Sequence, residues 1–209
     1  MKILAVQNRM GIGDTVIFLP FIETISKKFN APVNLLVKKS SKADQYLSRT
    51  DYLDKIIFLE RDNKKEGRHN GIIGSFRLAQ DLKKYEFDKI FIFNSSLRFN
   101  LVSRLANIKE IYQYPLFTKT NQHIIQPAKD LIKKNLGIDV VKNPQIQISN
   151  NLIKKAIVEY NIDTNEQNIL LGIGGSGPTK RVPSKTFLSV MEKIDNFKKS
   201  KFFLATGKK

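Results

Sequence analysis

The 209-residue sequence contains no cysteine. Disulfides, thiolate metal sites and cysteine nucleophiles are therefore excluded, while the redox compartment stays open, since a reducing cytosol does not demand cysteines. Histidine is nearly absent too. His69 and His123 are the only two, too few for a multi-histidine zinc site. Long hydrophobic runs are also missing. No stretch approaches the roughly 18 apolar residues of a membrane span. At the N-terminus only Lys2 precedes the short run ILAV before the polar Gln7-Asn8-Arg9, which is no secretory leader. The reading is a cytoplasmic protein, with peripheral contact at an anionic membrane face left open.

Acidic residues are scarce. Lys and Arg number 36 against 19 Asp and Glu, a formal net charge of +17. Such a field concentrates anions: nucleic acid, lipid headgroups or phosphorylated substrates. The arginines are only Arg9, Arg49, Arg61, Arg68, Arg77, Arg98, Arg104 and Arg181, and the chain is rich in Lys, Asn and Ile. An AT-rich genome gives the same bias without functional selection, so both accounts of the charge stand. No interleaved basic and aromatic motif of an RNA-binding domain is present, and nucleic acid is not expected as the partner. With 41% hydrophobic residues the chain can build a core. Phe18, Phe58, Phe91 and Phe93 fall in apolar runs and read as part of it.

The pattern along the chain alternates. Residues 3–6 read as a buried strand, 11–14 as a glycine turn, and 16–28 as a helix with Val16, Leu19, Ile22 and Ile25 on one face. Asn30-Ala31-Pro32 ends that helix, and 33–37 read as a second strand. This is a βαβ unit and implies a parallel sheet. Further strands are expected at 55–59, 88–93 and 111–114, with helices at 43–47, 72–84, 97–105 and 128–136 and a polar basic loop at 61–71. Asn94-Ser95-Ser96 reads as a turn with helix-capping residues. Residues 139–150 look like a linker. A helix at 152–161 follows, then a second cycle: strand 169–173, glycine loop 174–181, helix 185–197 and strand 202–205. The expected organisation is one Rossmann-like domain over 1–150, then the linker helix and opening of a second over 151–209. A complete second domain would need on the order of 100 residues or more.

Two glycine loops carry the chemistry. Gly11-Ile12-Gly13-Asp14 joins a strand to a helix, but Val16 stands where a dinucleotide fingerprint needs its third glycine. Asp14 has two readings: a helix N-cap, or a carboxylate at the sheet edge able to take a proton from a substrate hydroxyl. Residues 174–181, GGSGPTKR, are not a Walker loop, because Thr179 precedes the lysine and Arg181 follows it. Glycine N–H groups, the Ser176 and Thr179 hydroxyls, and the Lys180 and Arg181 charges still suit an anion; a plain solvated loop is the other reading. His123 sits in a polar loop where structural or solvated roles are commonest. Arg61, Lys64, Lys65 and Arg68 form either a solvated tip or a clamp for an acidic substrate.

With both loops in view, the sequence resembles glycosyltransferase family 9, the ADP-heptose:lipopolysaccharide heptosyltransferases. Gly13-Asp14 and Leu19-Pro20 match its opening strand, loop and helix. Gly175-Ser176-Gly177, Lys180-Arg181, Pro183 and Phe187 match its second glycine-rich block. FNSSLRFNLVSRLA resembles its intervening helix segment, and His123 matches a common histidine. The resemblance implies a GT-B architecture of two Rossmann-like domains and an inverting, metal-independent transfer with no cofactor. A heptose or related sugar would move from an ADP-sugar to a lipopolysaccharide-core-type acceptor, an anionic lipid-linked sugar. Asp14 would be the general base. Lys180, with Ser176, Gly177 and Thr179, would hold the departing diphosphate. Gly13, Arg61, Lys64, Lys65 and His123 would bind the acceptor.

Departures accompany the match. Val182 replaces a frequent aromatic, and the family's later histidine-bearing loop is not in these residues, so the 209 residues alone are expected to have little or no transferase activity. A non-catalytic basic Rossmann-like module binding anionic glycolipid or nucleic acid is the alternative from another class. A different GT-B enzyme, such as an N-acetylglucosamine transferase or epimerase, is the third.

Overall fold

The computed structural model describes residues 1–9, 11–61, 67–116, 123–174 and 181–206. The chain divides into two units, Met1–Gln147 and Ile148–Lys209.

The first unit is built on five strands: β1 (Ile3–Gln7), β2 (Val33–Lys38), β3 (Leu53–Leu59), β4 (Lys89–Ile92) and β5 (Glu110–Gln113). They form one sheet in the order β3-β2-β1-β4-β5, and every pairing is parallel. β1 lies at the centre, with Ile3 opposite Val33 on one side and Lys89 on the other. All five residues of β1 are buried. A parallel strand covered on both faces must be apolar on both, hence the continuous run ILAV.

Alternation along the strands separates two cores. Ile3, Ala5, Val33, Leu35, Val37, Phe91 and Phe93 face one side; Leu4, Val6, Leu36, Ile90 and Ile92 face the other. The first side is covered by α2 (Leu19–Phe29) and α6 (Gln126–Leu136). The second is covered by α4 (Gly71–Lys83) and α5 (Leu97–Leu105). Phe18, Phe91 and Phe93 are buried as expected, with Phe18 and Phe93 rings 5.2 Å apart; Phe58 is half-buried against the same core.

The helix expected over 16–28 is two helices, a short α1 (Ile12–Val16) and α2. Pro20 explains the break. It has no N–H to give the Val16 carbonyl, and its ring would crowd that oxygen. The chain turns there through Phe18 N–H to Thr15 O at 3.1 Å, and Phe18 drops into the core. A four-residue α3 (Ala43–Tyr46) follows β2.

The stretch read as a linker is pinned to the first unit. Val140 is buried in the α2/α6 core. Gln147 accepts from the Asp51 backbone N–H at 3.1 Å and donates to its carboxylate at 3.3 Å. Lys142 reaches Glu23 at 3.3 Å. The alternating QIQIS sequence forms no strand; Gln147 alone of its residues makes the bonds to Asp51.

The second unit holds α7 (Asn150–Glu159), β6 (Gln167–Gly172), α8 (Ser184–Phe197) and β7 (Ser200–Ala205). β6 and β7 pair in parallel, Ile169 opposite Phe202. Ser149 caps α7 by accepting from the Leu152 N–H. Among the described residues, neither α7 nor α8 buries a side chain.

Candidate active site

In an open parallel sheet, ligands bind where the strand order reverses, outside the C-terminal strand ends. Here β2 and β3 extend to one side of β1, and β4 and β5 to the other. The reversal therefore lies between β1 and β4. Their ends carry Gln7-Asn8-Arg9 and Asn94-Ser95-Ser96.

Buried amides fix this edge. Gln7 is 1% exposed. Its Nε2 donates to the Asp14 carbonyl at 2.6 Å, and its Oε1 accepts from the Arg9 N–H at 2.7 Å. Asn94 Nδ2 donates to Asn8 Oδ1 at 3.2 Å, which ties the two strand ends across the reversal. Gln113, at the end of β5, donates to the Asn94 and Ser96 carbonyls at 3.1 and 2.9 Å. A buried amide with all its partners holds one geometry, because losing a partner costs about 1–3 kcal/mol. The capping expected of Asn94-Ser95-Ser96 takes one particular form: Ser96 is the N-cap residue of α5, but its hydroxyl makes no cap bond. Asn94 Oδ1 instead accepts the Ser96 N–H at 2.9 Å.

Asp14 sits on this edge, in the third position of α1. It is not the N-cap residue, which is Gly11. Its Oδ2 accepts the Gly11 N–H at 3.1 Å, one half of a capping box, and Gly11 has no side chain to return the bond. The carboxylate is half-buried, and its backbone is held by Gln7. Two glycines shape the space. A Cβ on Gly11 would stand 3.1 Å from Asp14 Oδ2, whereas one on Gly13 would meet nothing within 4 Å. Gly11 thus leaves room for the carboxylate, and Gly13 faces open space beside it.

Arginines gather on the same edge. Arg61, exposed just beyond β3, lies close enough to Arg98 for its charge to act on it. Burial first, then that like charge, lowers the Arg98 guanidinium below its usual value. Arg98 Nη2 donates to the His69 carbonyl, and its Nε is buried without a partner among the described residues. Arg9 bears on Tyr114, whose hydroxyl burial pushes far up while Arg9 opposes the shift. A cleft of about 390 Å³ opens beside β5, lined by Tyr114, Gln113, Ser95, Asp130, Lys134 and Asn135 among others.

His69 is a staple. It is 4% exposed, its Nδ1 accepts the Glu60 N–H at 3.0 Å, and its Nε2 lies 3.2 Å from Asp81 Oδ2. With Nδ1 accepting, Nε2 is the donor to Asp81. Arg68 grips the same carboxylate with two bonds of 2.9 Å. Gly74 lets α4 approach this turn, since a Cβ there would fall 2.2 Å from the His69 carbonyl carbon. Arg68 is therefore part of this anchor. His123 is exposed at the start of α6, where its Nδ1 meets the Ile125 N–H at 3.5 Å and its carbonyl accepts from Gln126. The structure brings together Gly13 and Asp14, places Arg61 on the strand-end side of the same sheet, and records no contact between His123 and them. Lys64, Lys65, Ser176, Gly177, Thr179 and Lys180 lie outside the described residues. Val182 is 48% exposed beyond β6. Among the described residues no group of three or more His, Asp or Glu is placed to hold a metal ion, and no helix is long and apolar enough to cross a membrane.

The sequence reading missed Gln7, Asn94, Gln113 and Arg98. Their signal was present as amides at or just after strand ends and one arginine in the first turn of α5.

No protein-family profile matches the sequence, and no curated protein is detectably similar to it. Solved structures are. A glycosyl transferase family 9 protein from Veillonella parvula superposes with a TM-score of 0.72 at 16% identity, over 100% of this chain and 70% of that one. The α/β fold of this chain, a five-stranded parallel sheet flanked by helices followed by a parallel strand pair, matches that of glycosyltransferase family 9 and heptosyltransferase structures. The E. coli ADP-heptose lipopolysaccharide heptosyltransferase II gives 0.66 at 16% identity, over 99% of this chain and 64% of that one. The E. coli heptosyltransferase WaaC with ADP gives 0.66 at 16%, over 100% and 69%. The chain thus spans about two thirds of the length of these proteins.

Proposed function

We propose that the protein is a family 9 glycosyltransferase: an inverting, metal-independent enzyme moving a heptose or related sugar from an ADP-sugar to an anionic, lipid-linked acceptor of the lipopolysaccharide-core type. The observation that carries this reading is the Asp14 carboxylate beside the open face of Gly13 at the sheet reversal, within a fold shared along the whole chain with heptosyltransferases. WaaC has been solved with ADP and with ADP-2-deoxy-2-fluoro heptose, which supports an ADP-sugar as donor.

On this reading an acceptor hydroxyl lies over Gly13 and gives its proton to Asp14 as its oxygen attacks the anomeric carbon. The bond from that carbon to the diphosphate oxygen breaks, and the electron pair leaves with ADP. Attack opposite the leaving group inverts the centre. Charge grows on the diphosphate, where Lys180, Ser176, Thr179 and the Gly177 N–H would stabilise it. Arg61 and Arg98, with Lys64, Lys65 and His123, would meet the acid groups of the acceptor. The domain assignment goes with it: residues 1–150 bind the acceptor, and 151–209 open the donor domain. No cofactor is required, and the work is done at the cytoplasmic face of the inner membrane.

The test is ADP release from ADP-heptose by the full gene product, with and without a lipid A-core acceptor. Asp14→Asn should lower kcat by about 10²–10⁴ with acceptor affinity largely kept. A variant as fast as the parent would remove Asp14 from the chemistry. Protection from thermal unfolding by a UDP-sugar and not by an ADP-sugar would move the reading to another GT-B enzyme.

A further inference from the structure

One side of α6 carries more polar chemistry than its packing uses. Pro127, Asp130, Leu131, Lys134 and Asn135 recur at three- and four-residue spacing and so share a side of the helix. That side and β5 wall the cleft of about 390 Å³. β5 is the last strand of its sheet and pairs only with β4 among the described residues, which leaves its other edge to line the space. Asp130 and Lys134 stand four residues apart with the acid first, the arrangement that favours an ion pair along a helix. They do not form one. Gln126 Nε2 donates to Asp130 Oδ1 at 2.8 Å, which leaves Oδ2 open, and the Lys134 ammonium has no partner among the described residues. Asn135 donates to the Leu131 carbonyl at 2.8 Å, which leaves its side-chain oxygen open. The Ser95 hydroxyl, on the same lining, is also unbonded among the described residues.

The opposite wall is aromatic. Tyr112 and Tyr114 both line the cleft. Tyr112 is a fixed ring, stacked on Phe91 at 4.5 Å and 19°, with its hydroxyl bonded to Glu110. The Tyr114 hydroxyl is buried without a partner among the described residues, a cost that folding alone does not explain. A ring face receives the C–H face of a sugar, while open carboxylate and amide oxygens accept from its hydroxyls and an ammonium donates to them. Charge points the same way. Asp130 and Lys134 cancel, in a chain whose excess is +17. An anion would be repelled by the one as it is drawn by the other, so hydroxyls and not charge decide the fit. The volume lies at the small end of ligand sites and suits one sugar unit better than a long chain. A peptide strand added to β5 is the poorer match. That strand has four residues, and Pro115 just beyond it has no N–H to offer.

We propose that the cleft between β5 and α6 binds a neutral sugar ring, with Asp130, Lys134 and Asn135 on its hydroxyls and a tyrosine ring against its C–H face. The site stands apart from Gly13 and Asp14. Its walls all belong to the first unit, and it holds whatever reaction the Asp14 edge performs. Neither the diphosphate of the donor nor the acid groups of the acceptor proposed above suit a cleft without net charge, so this ligand is one more than that reaction needs.

The test is saturation-transfer NMR on the full gene product with the methyl α-glycosides of glucose, galactose, mannose and N-acetylglucosamine, and with no nucleotide present. At least one should receive magnetisation at its ring protons, and the transfer should hold as salt is raised, because no net charge is engaged. Asp130→Ala with Lys134→Ala should weaken that binding at least about tenfold, from the lost bonds to two charged groups. Both side chains are exposed on a helix, where alanine is well tolerated, so the thermal midpoint should not fall. Asp14→Asn should bind the glycoside as the parent does, which separates this proposal from the transferase reading. Transfer to none of the glycosides would overturn it. So would equal binding by the double alanine variant, and binding that salt removes would place the sugar on the arginine edge instead.

Discussion

Substituting alanine at two glycines two residues apart should have opposite consequences. Gly11 has φ −98° and ψ 160°, an extended conformation that alanine adopts freely. Gly11→Ala therefore introduces no backbone strain, and by restricting the unfolded chain it should leave stability unchanged or raise it by about 0.4–1 kcal/mol. The new methyl would, however, stand 3.1 Å from Asp14 Oδ2 and 3.7 Å from its Cγ. Ordinary contact needs about 3.4 Å or more, so the carboxylate must retreat by a few tenths of an ångström. The 3.1 Å bond from the Gly11 N–H lengthens with it. A misplacement of 1 Å at a reacting group can cost about 10²-fold in rate. A third of that displacement should cost about three- to tenfold in kcat, under about 1.4 kcal/mol of barrier.

Gly13→Ala should do the reverse. Gly13 lies inside α1, where alanine is favoured over glycine by about 1 kcal/mol, and its Cβ would point into empty space. The carboxylate does not move, so kcat should hold. If the acceptor lies over Gly13, the methyl occupies its place and KM should rise. The assays are thermal unfolding for both variants and steady-state kinetics on the full gene product. Loss of stability in Gly11→Ala together with its loss of rate would refute the reasoning, since a general disruption would then explain both. An unchanged KM in Gly13→Ala would show that substrate does not approach there.

Two further predictions concern pH. Arg68 first, helped by His69 and Lys84, holds the Asp81 carboxyl well below the usual carboxylate range. A folded value lower than the unfolded one, about 3.9, gives stability that is fully present above that pH and lost as pH falls below it. Asp81→Asn should thus lower the thermal midpoint at pH 7, by about 2–4 °C per kcal/mol lost, and the gap to the parent should close on acidification below about pH 4. A gap that persists undiminished in acid would contradict the assignment. Burial, then the Glu110 carboxylate that accepts its hydroxyl, pushes Tyr112 up to about 12, and burial does the same to Tyr52. A raised folded value gives stability present below the unfolded value near 10 and lost as pH rises toward 12. Tyr112→Phe should therefore make the protein less sensitive to alkali between those limits in a urea titration.

The centre of the sheet could be read from the sequence because β1, β2 and β4 are local runs buried on both faces. Residues such as Ile3 to Val6 and Ile90 to Phe93 satisfy both cores at once and have no other use. The helix ends could be read where a single residue decides them, as at Asn30 and Gly137, both in the left-handed region at φ 48° and 72°. The break between α1 and α2 was also written in the sequence, at Pro20. It was hidden because Val16, Leu19, Ile22 and Ile25 keep helical spacing across it. What could not be read were bonds between distant residues. Gln147 and Asp51 are 96 positions apart, and Arg98 reaches a carbonyl 29 positions away. Neither pair leaves a periodic trace, so a staple looked like a linker and an edge arginine looked like one more surface charge.

The same distinction bears on why the proposed function rests on Asp14. Alone, Gly-x-Gly-Asp at a helix start suits a cap as well as a base, and the structure finds the carboxylate making one capping bond to Gly11. A cap needs no more than that. Yet Gln7 is spent on fixing the Asp14 carbonyl, and further along the same edge Asn94 and Gln113 fix Asn8 and the Asn94 and Ser96 carbonyls. A five-residue helix does not require such support for its own stability. A rigidly held edge at a half-buried carboxylate is what the proposed base would need to meet a hydroxyl without reorganising. The capping bond and the proposed base role would not compete: the Gly11 N–H holds Oδ2, which on the proposed function leaves Oδ1 for the acceptor proton.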